Sequence, residues 1–148
     1  MPEETVPSAG LRKRFTGDRD LTRPPLPEPL PIPVYDNHTH LEFEDGLEVL
    51  DPLESLDLAE RVGVTGVVQV GTDLETSHWS AQLAASDPRV LAAVALHPNE
   101  APKLFAQGLL SAHLSEISRL ASQPRVRAVG ETGLDFFRTG EDGRDAQI

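Results

Sequence analysis

The strongest constraint on the fold is an alternation of β-branched apolar runs with amphipathic helical stretches. The apolar runs lie at residues 32–35, 64–70, 90–96 and 126–129, and the helical stretches lie at 52–62, 75–86 and 107–122. Strands that alternate with helices at this spacing predict a parallel sheet covered by helices and joined by right-handed crossovers. The predicted fold class is therefore α/β, in the order β-α-β-α-β-α-β.

The first 33 residues differ in composition from the rest of the chain. They contain 8 of the 13 prolines and five basic against five acidic side chains, so the whole net charge of −11 belongs to residues 34–148. The prolines between Arg23 and Pro33 favour an extended polyproline-like backbone. We therefore predict a Pro-rich disordered tail over 1–33 and an α/β domain over 34–148, with a Pro-rich recognition peptide as the alternative for the tail.

Composition excludes several classes of function. The chain has no cysteine, so any metal ion must be held by His, Asp or Glu. A net charge of −11 argues against a basic groove that coats nucleic acid, although a metal ion can supply positive charge locally. No apolar run approaches the roughly 18–20 residues of a membrane span, which predicts a protein without a membrane partner, and we expect it in the cytoplasm.

The residues that can carry chemistry follow the predicted strands, where sites of parallel α/β folds are built. His38 and His40 are two apart on an extended segment, so both imidazoles can face one metal ion. Two surface or packing histidines are the alternative. Asp36 precedes them and can orient an imidazole as a hydrogen-bond acceptor, or can serve as a turn residue.

Three further strand ends carry polar side chains. Glu131 follows the last strand between Gly130 and Gly133, and its carboxylate can bridge two cations, or it is a helix N-cap or a surface acid. His97 ends the third strand and offers a hydrogen-bond donor or a phosphate contact, or is an ordinary polar terminus. Asp73 follows the second strand and offers a similar contact, or caps the next helix.

Four ordered blocks carry a resemblance to a known family. They are DNHTHLEF (36–43), VGTD (70–73), LHPNE (96–100) and VGETGLDFFR (129–138). In these blocks the chain resembles the TatD family of metal-dependent hydrolases, often called TatD deoxyribonucleases, within the amidohydrolase-like group of TIM barrels. The resemblance covers residues 34 to about 138.

The resemblance implies a set of site residues and a reaction. His38 and His40 would ligate one divalent cation, and Glu131 would bridge it to a second and act as the catalytic carboxylate. His97, Asp73 and Arg138 would contact the substrate. The implied cofactors are two divalent metal ions, Mg, Mn or Zn, which activate a water for phosphodiester hydrolysis at DNA ends.

The family pattern continues beyond Glu131 with histidines and an aspartate that have no match here. A (β/α)8 barrel needs roughly 250 residues, so we predict the N-terminal half of a TIM barrel with about four strands, from a truncated reading frame or a partial sequence. Its first and fourth strands would be open edges, which predicts poor stability or self-association. The expected substrates are nucleic-acid ends or a small phosphoester.

Two other functions stay open on these residues. One is a non-catalytic remnant, in which the histidines and Glu131 bind a cation without turnover. The other is an amidohydrolase-type enzyme that acts on an amide or another ester, since its His-x-His opening would be the same.

Overall fold

The computed structural model describes residues 12–13, 20–44 and 47–148. Its elements in chain order are β1 (Arg12–Lys13), β2 (Val34–Thr39), β3 (Phe43–Glu44), α1 (Pro52–Arg61), β4 (Val64–Val70), α2 (Leu74–Ser86), β5 (Val90–Val94), α3 (Ala101–Ala106), α4 (Leu110–Ala121), β6 (Val126–Val129), α5 (Glu141–Arg144) and a 3-10 turn (Asp145–Gln147). Within these ranges no helix is both long and apolar enough to cross a membrane.

The main sheet has four parallel strands in the order β2-β4-β5-β6, so each strand pairs with the next one along the chain. Helices α1 and α2 lie in the first two connections, and α3 and α4 lie between β5 and β6. This is the strand order of the first part of a TIM barrel, and it confirms the predicted α/β class with about four strands. The short strands β1 and β3, which the sequence did not predict, form a separate parallel pair.

The core lies between the sheet and the helices on one side of it. Trp79 and Leu83 of α2 are buried against Val90 and Val94 of β5, and Leu120 of α4 joins the same cluster. Burying a large apolar side chain contributes about 1.5–3 kcal/mol relative to leaving it exposed. This packing fixes the order of the strands and therefore the position of their carboxyl ends.

The helical stretch predicted at 107–122 begins later than expected. Gly108 has φ 71°, a left-handed conformation that ends α3, and α4 starts at Leu110. Helix α3 was not predicted from the sequence. In the structure Pro102 stands in the first turn of α3, where a missing N–H has no helical partner to lose.

Most of the predicted tail, residues 1–11 and 14–19, lies outside the described residues, and its disorder stays a prediction. In the described part, the backbone N–H of Leu30 donates to the carbonyl of Val62 at 2.9 Å. The guanidinium of Arg23 donates to the carbonyl of Glu48 at 3.2 Å. Residues 20–33 have no regular secondary structure, but these contacts hold them against the domain.

Candidate metal centre

The centre forms where the two outer strands of the main sheet end. His38 lies in β2 and His40 follows it, while Glu131 comes directly after Gly130 at the end of β6. Strands β2 and β6 are the opposite edges of the four-stranded sheet. Their carboxyl ends meet only because the sheet curls, as it does in a barrel.

The three side chains converge on one point. Nε2 of His38 lies 3.2 Å from Nε2 of His40 and 3.1 Å from Oε1 of Glu131. Nε2 of His40 lies 3.7 Å from the same oxygen. One ligand atom from each residue falls within 4.8 Å of the others, and two imidazole nitrogens with one carboxylate oxygen suit Zn, Mn or a similar divalent ion. The donor set fits the predicted metal ligands.

The centre is open to solvent on one side. The His38 side chain is 49% exposed, whereas the His40 and Glu131 side chains are 24% and 25% exposed. A hydrated ion can therefore reach the three ligand atoms without a change in the fold.

Glu131 has an unusual backbone. Its φ is 56°, in the left-handed region that non-glycine residues rarely occupy, and Gly133 has φ 128°. The N–H of Gly130 donates to the carbonyl of Val94 at 3.3 Å, which fixes the start of this turn. Backbone strain of this kind is common at functional sites. There it holds a side chain in a direction that an unstrained backbone would not give it.

The carboxylate of Asp36 does not reach an imidazole in this structure. Its Oδ1 accepts a hydrogen bond from the backbone N–H of His38 at 3.0 Å, so it orders the strand end at the histidine pair. The carboxylate that contacts Nδ1 of His40 is instead that of Glu42, whose Oε1 lies 3.3 Å away. Glu42 was not predicted from the sequence, although an acid two residues after a candidate ligand in a tight turn is a usable signal.

The electrostatic surroundings favour a positive charge on His40. The hydrogen bond to Glu42 raises the pKa of His40 above its ordinary value, partial burial opposes this, and the charges of Glu42 and Glu131 add to it. A contact with the carbonyl of Val70 acts in the same direction. The negative charges of Glu42 and Glu131 favour any cation at this position, and a metal ion there has to displace the proton from His40.

Two of the predicted substrate contacts, His97 and Asp73, follow the strands β5 and β4. His97 follows β5, and its Nδ1 accepts the backbone N–H of Asn99 at 3.2 Å. In the neutral ring the proton therefore sits on Nε2, which leaves His97 a hydrogen-bond donor. Asp73 caps α2, because its carboxylate accepts the N–H of Thr76 at 2.9 Å and forms a capping box with it.

Arg138 is largely exposed and pairs with Asp135 at 3.5 Å. It lines a surface pocket of about 280 Å³ together with Asn99 and Lys103, and none of the three candidate ligands lines that pocket. A second pocket, of about 270 Å³, adjoins the centre and is lined by His40, Phe43 and Arg23. The Pro-rich segment thus contributes Arg23 to a pocket that His40 also lines, which the sequence did not predict.

Fold and centre together describe part of a parallel (β/α) barrel with a candidate metal site at the carboxyl ends of its strands. A sequence model of the family described as TatD related DNase matches residues 35–148. The chain belongs to the TatD family, as its four blocks predicted.

Curated relatives agree with this assignment. The "Uncharacterized metal-dependent hydrolase TatD" of Mycobacterium tuberculosis is 45% identical over 108 residues, which is 72% of this chain and 39% of that protein. The "3'-5' ssDNA/RNA exonuclease TatD" of Musicola paradisiaca is 36% identical over 103 residues, 69% of this chain and 35% of that protein. The protein of the same name from Escherichia coli is 36% identical over 76 residues. The chain thus spans well under half the length of the relatives it matches.

Proposed function

We propose that this chain supplies the metal-binding part of a nuclease that hydrolyses phosphodiester bonds at the ends of single-stranded nucleic acid. The single observation that carries the proposal is the convergence of His38, His40 and Glu131 from opposite edges of the sheet. Membership of a metal-dependent hydrolase family supports it, as does the name of the relatives that are called ssDNA/RNA exonucleases.

In this proposal His38 and His40 would hold a divalent ion, and Glu131 would supply a carboxylate ligand to the same centre. Such ions, when bound, lower the pKa of a water molecule and offset negative charge on a phosphodiester. The protein's own contribution is to present three ligand atoms in fixed positions. The strained turn at Glu131 and the rigid strand end at His38 provide this preorganisation.

The remaining predicted residues would position the substrate. His97 would donate Nε2–H to a phosphate oxygen, and Arg138 would provide a cation at the rim. Asp73, which caps α2, would contact the substrate from the end of β4. A net charge of −11 opposes binding along an extended nucleic acid, so we propose that only a strand end enters the site.

A binding function without turnover is the second candidate. It is favoured by the ligand set, because the described residues 20–44 and 47–148 bring three such side chains together at this centre. The chain also covers 39% and 35% of two relatives, so groups supplied elsewhere in those proteins have no counterpart in the alignment. Hydrolysis of an amide or another ester stays a prediction. The cytoplasmic location also stays a prediction.

The test is release of nucleotides from a short oligonucleotide labelled at its 5' end, as DNA and as RNA, with Mg²⁺, Mn²⁺ or Zn²⁺. The proposal expects metal-dependent shortening from the 3' end that is lost in His38→Ala/His40→Ala. His78→Ala is the matched control, because His78 pairs with Glu116 on the helical face, 3.0 Å away. If the chain binds metal through His38 and His40 but does not shorten the oligonucleotide, the nuclease proposal is rejected in favour of metal binding without turnover.

A further inference from the structure

Glu42 is a carboxylate with no exposed surface. Burial of a charged group is costly unless the group is paired and hydrogen-bonded. In residues 20–44 and 47–148 no lysine or arginine forms an ion pair with it. Its side-chain partners there are the amide of Gln69, whose Nε2 donates to Oε2 at 2.6 Å, and Nδ1 of His40, 3.3 Å from Oε1.

Gln69 is itself fixed. It is fully buried in β4, and its Oε1 accepts the backbone N–H of Leu41 at 2.8 Å and the hydroxyl of Thr39 at 3.4 Å. Because the oxygen accepts the backbone N–H of Leu41, the NH₂ group must face Glu42. Glu42 is therefore tied to a central strand of the sheet and to the loop that carries His40.

This network determines which ring nitrogen of His40 carries the proton. A carboxylate accepts hydrogen bonds and cannot donate them, so Nδ1 of His40 carries the hydrogen in the contact with Glu42. In the neutral ring Nε2 is then left with a free lone pair. That atom faces Nε2 of His38 at 3.2 Å and Oε1 of Glu131 at 3.7 Å.

We propose that Glu42, held by Gln69, is a positioning residue that keeps His40 in the Nδ1–H tautomer with Nε2 aimed at the metal centre. The proposal rests on the proposed function, because it assigns Nε2 as the ligand atom of that site. Carboxylate partners of this kind fix the tautomer and the ring orientation of a ligating histidine, and their loss weakens metal binding by about 10–100-fold.

The first experiment needs no variant. Long-range ¹H–¹⁵N NMR spectra of the metal-free chain, at a pH at which the imidazoles are neutral, report which nitrogen of each histidine carries the proton. The proposal expects Nδ1–H for His40. The Nε2–H tautomer for His40 would overturn the role of Glu42, whether or not the chain binds metal.

The second experiment is calorimetric titration of the chain with Zn²⁺. Glu42→Gln is expected to weaken binding by about 10–100-fold and to reduce the population of the Nδ1–H tautomer. Glu44→Gln is the matched control, because it removes the same charge two residues along, and it is expected to bind as the unaltered chain does. Equal Zn²⁺ affinity in both variants would overturn the proposal.

The two readouts separate this inference from the site on which it rests. An unaltered chain that takes up no Zn²⁺ through His38 and His40 contradicts the proposed function, whatever the tautomer. An unaltered chain that binds Zn²⁺ but keeps its affinity in Glu42→Gln supports the site and contradicts the positioning role.

Discussion

Nε2 of His38 lies 3.1 Å from Oε1 of Glu131, although the two residues stand at opposite edges of the four-stranded sheet. A cation held between them would tie the two edges together, so metal binding and stability are coupled. At a free metal concentration of about 100 times the dissociation constant, we expect the free energy of unfolding to rise by about 2.7 kcal/mol.

Thermal unfolding with and without Mn²⁺ or Zn²⁺ measures this coupling. The upward shift should vanish in His38→Ala/His40→Ala and persist in His78→Ala. An equal shift in the double variant would show that metal stabilises the chain from another place.

The left-handed backbone of Glu131 makes a separate prediction about stability. Glycine adopts φ 56° without a Cβ penalty, whereas alanine keeps the strain. Glu131→Gly should therefore be more stable than Glu131→Ala by about 1 kcal/mol in urea unfolding with a chelator present. Both variants lose the carboxylate, so their difference reports the backbone alone. Equal stability would mean that the turn is not strained.

Asp87 and Arg89 predict a dependence of stability on pH. Arg89 donates to both oxygens of Asp87, at 3.1 Å and 2.7 Å, and these hydrogen bonds lower the pKa of Asp87 while burial opposes them. Because the pKa of Asp87 is lower in the folded than in the unfolded chain, the stabilisation is complete at a pH above the unfolded-state pKa of about 4. This stabilisation is lost as the pH falls from the unfolded-state pKa of Asp87 to its lower folded-state pKa.

Asp87→Asn should cost about 1.5–3 kcal/mol at neutral pH and should flatten the fall in stability below about pH 4. Urea unfolding across a pH series measures both effects. Asp57→Asn is the matched control, because Asp57 contacts the same Arg89 at 2.7 Å but is 69% exposed, and its loss should cost little. A larger loss from Asp57→Asn than from Asp87→Asn would contradict this account.

The exposed apolar side chains around β6 predict self-association. Val129 is 57% exposed on the edge strand, and Leu134, Phe137 and Ile148 nearby in the chain are 60%, 94% and 89% exposed. Among the described strands β6 pairs only with β5, and exposed apolar side chains beside such an edge favour association with a second copy. Sedimentation velocity should show association that increases with concentration.

Val129→Glu/Phe137→Glu should weaken that association. Leu47→Glu is the control, since Leu47 is 73% exposed but precedes α1, far along the chain from β6. A monomer at every concentration, or equal effects of both changes, would refute the role of β6.

The periodicity of the apolar residues predicted the fold class, and the spacing of the two histidines predicted that His38 and His40 can face one point. The four strands of the main sheet and the helices α1, α2 and α4 follow from apolar runs and helical faces, and the His38–His40 pair follows from strand alternation. The role of Glu42 depends on a long-range contact with Gln69, and the curl that brings Glu131 to His38 depends on all four strands. A local sequence pattern does not encode the distance between residues that are far apart in the chain.

The most direct test of the central claim is a crystal structure of the chain grown with Zn²⁺, with anomalous diffraction recorded at the zinc edge. We expect an anomalous peak about 2.0–2.1 Å from Nε2 of His38 and of His40 and about 2.0–2.2 Å from a carboxylate oxygen of Glu131. Zinc bound only at other surface acids, with these three side chains turned apart, would contradict it.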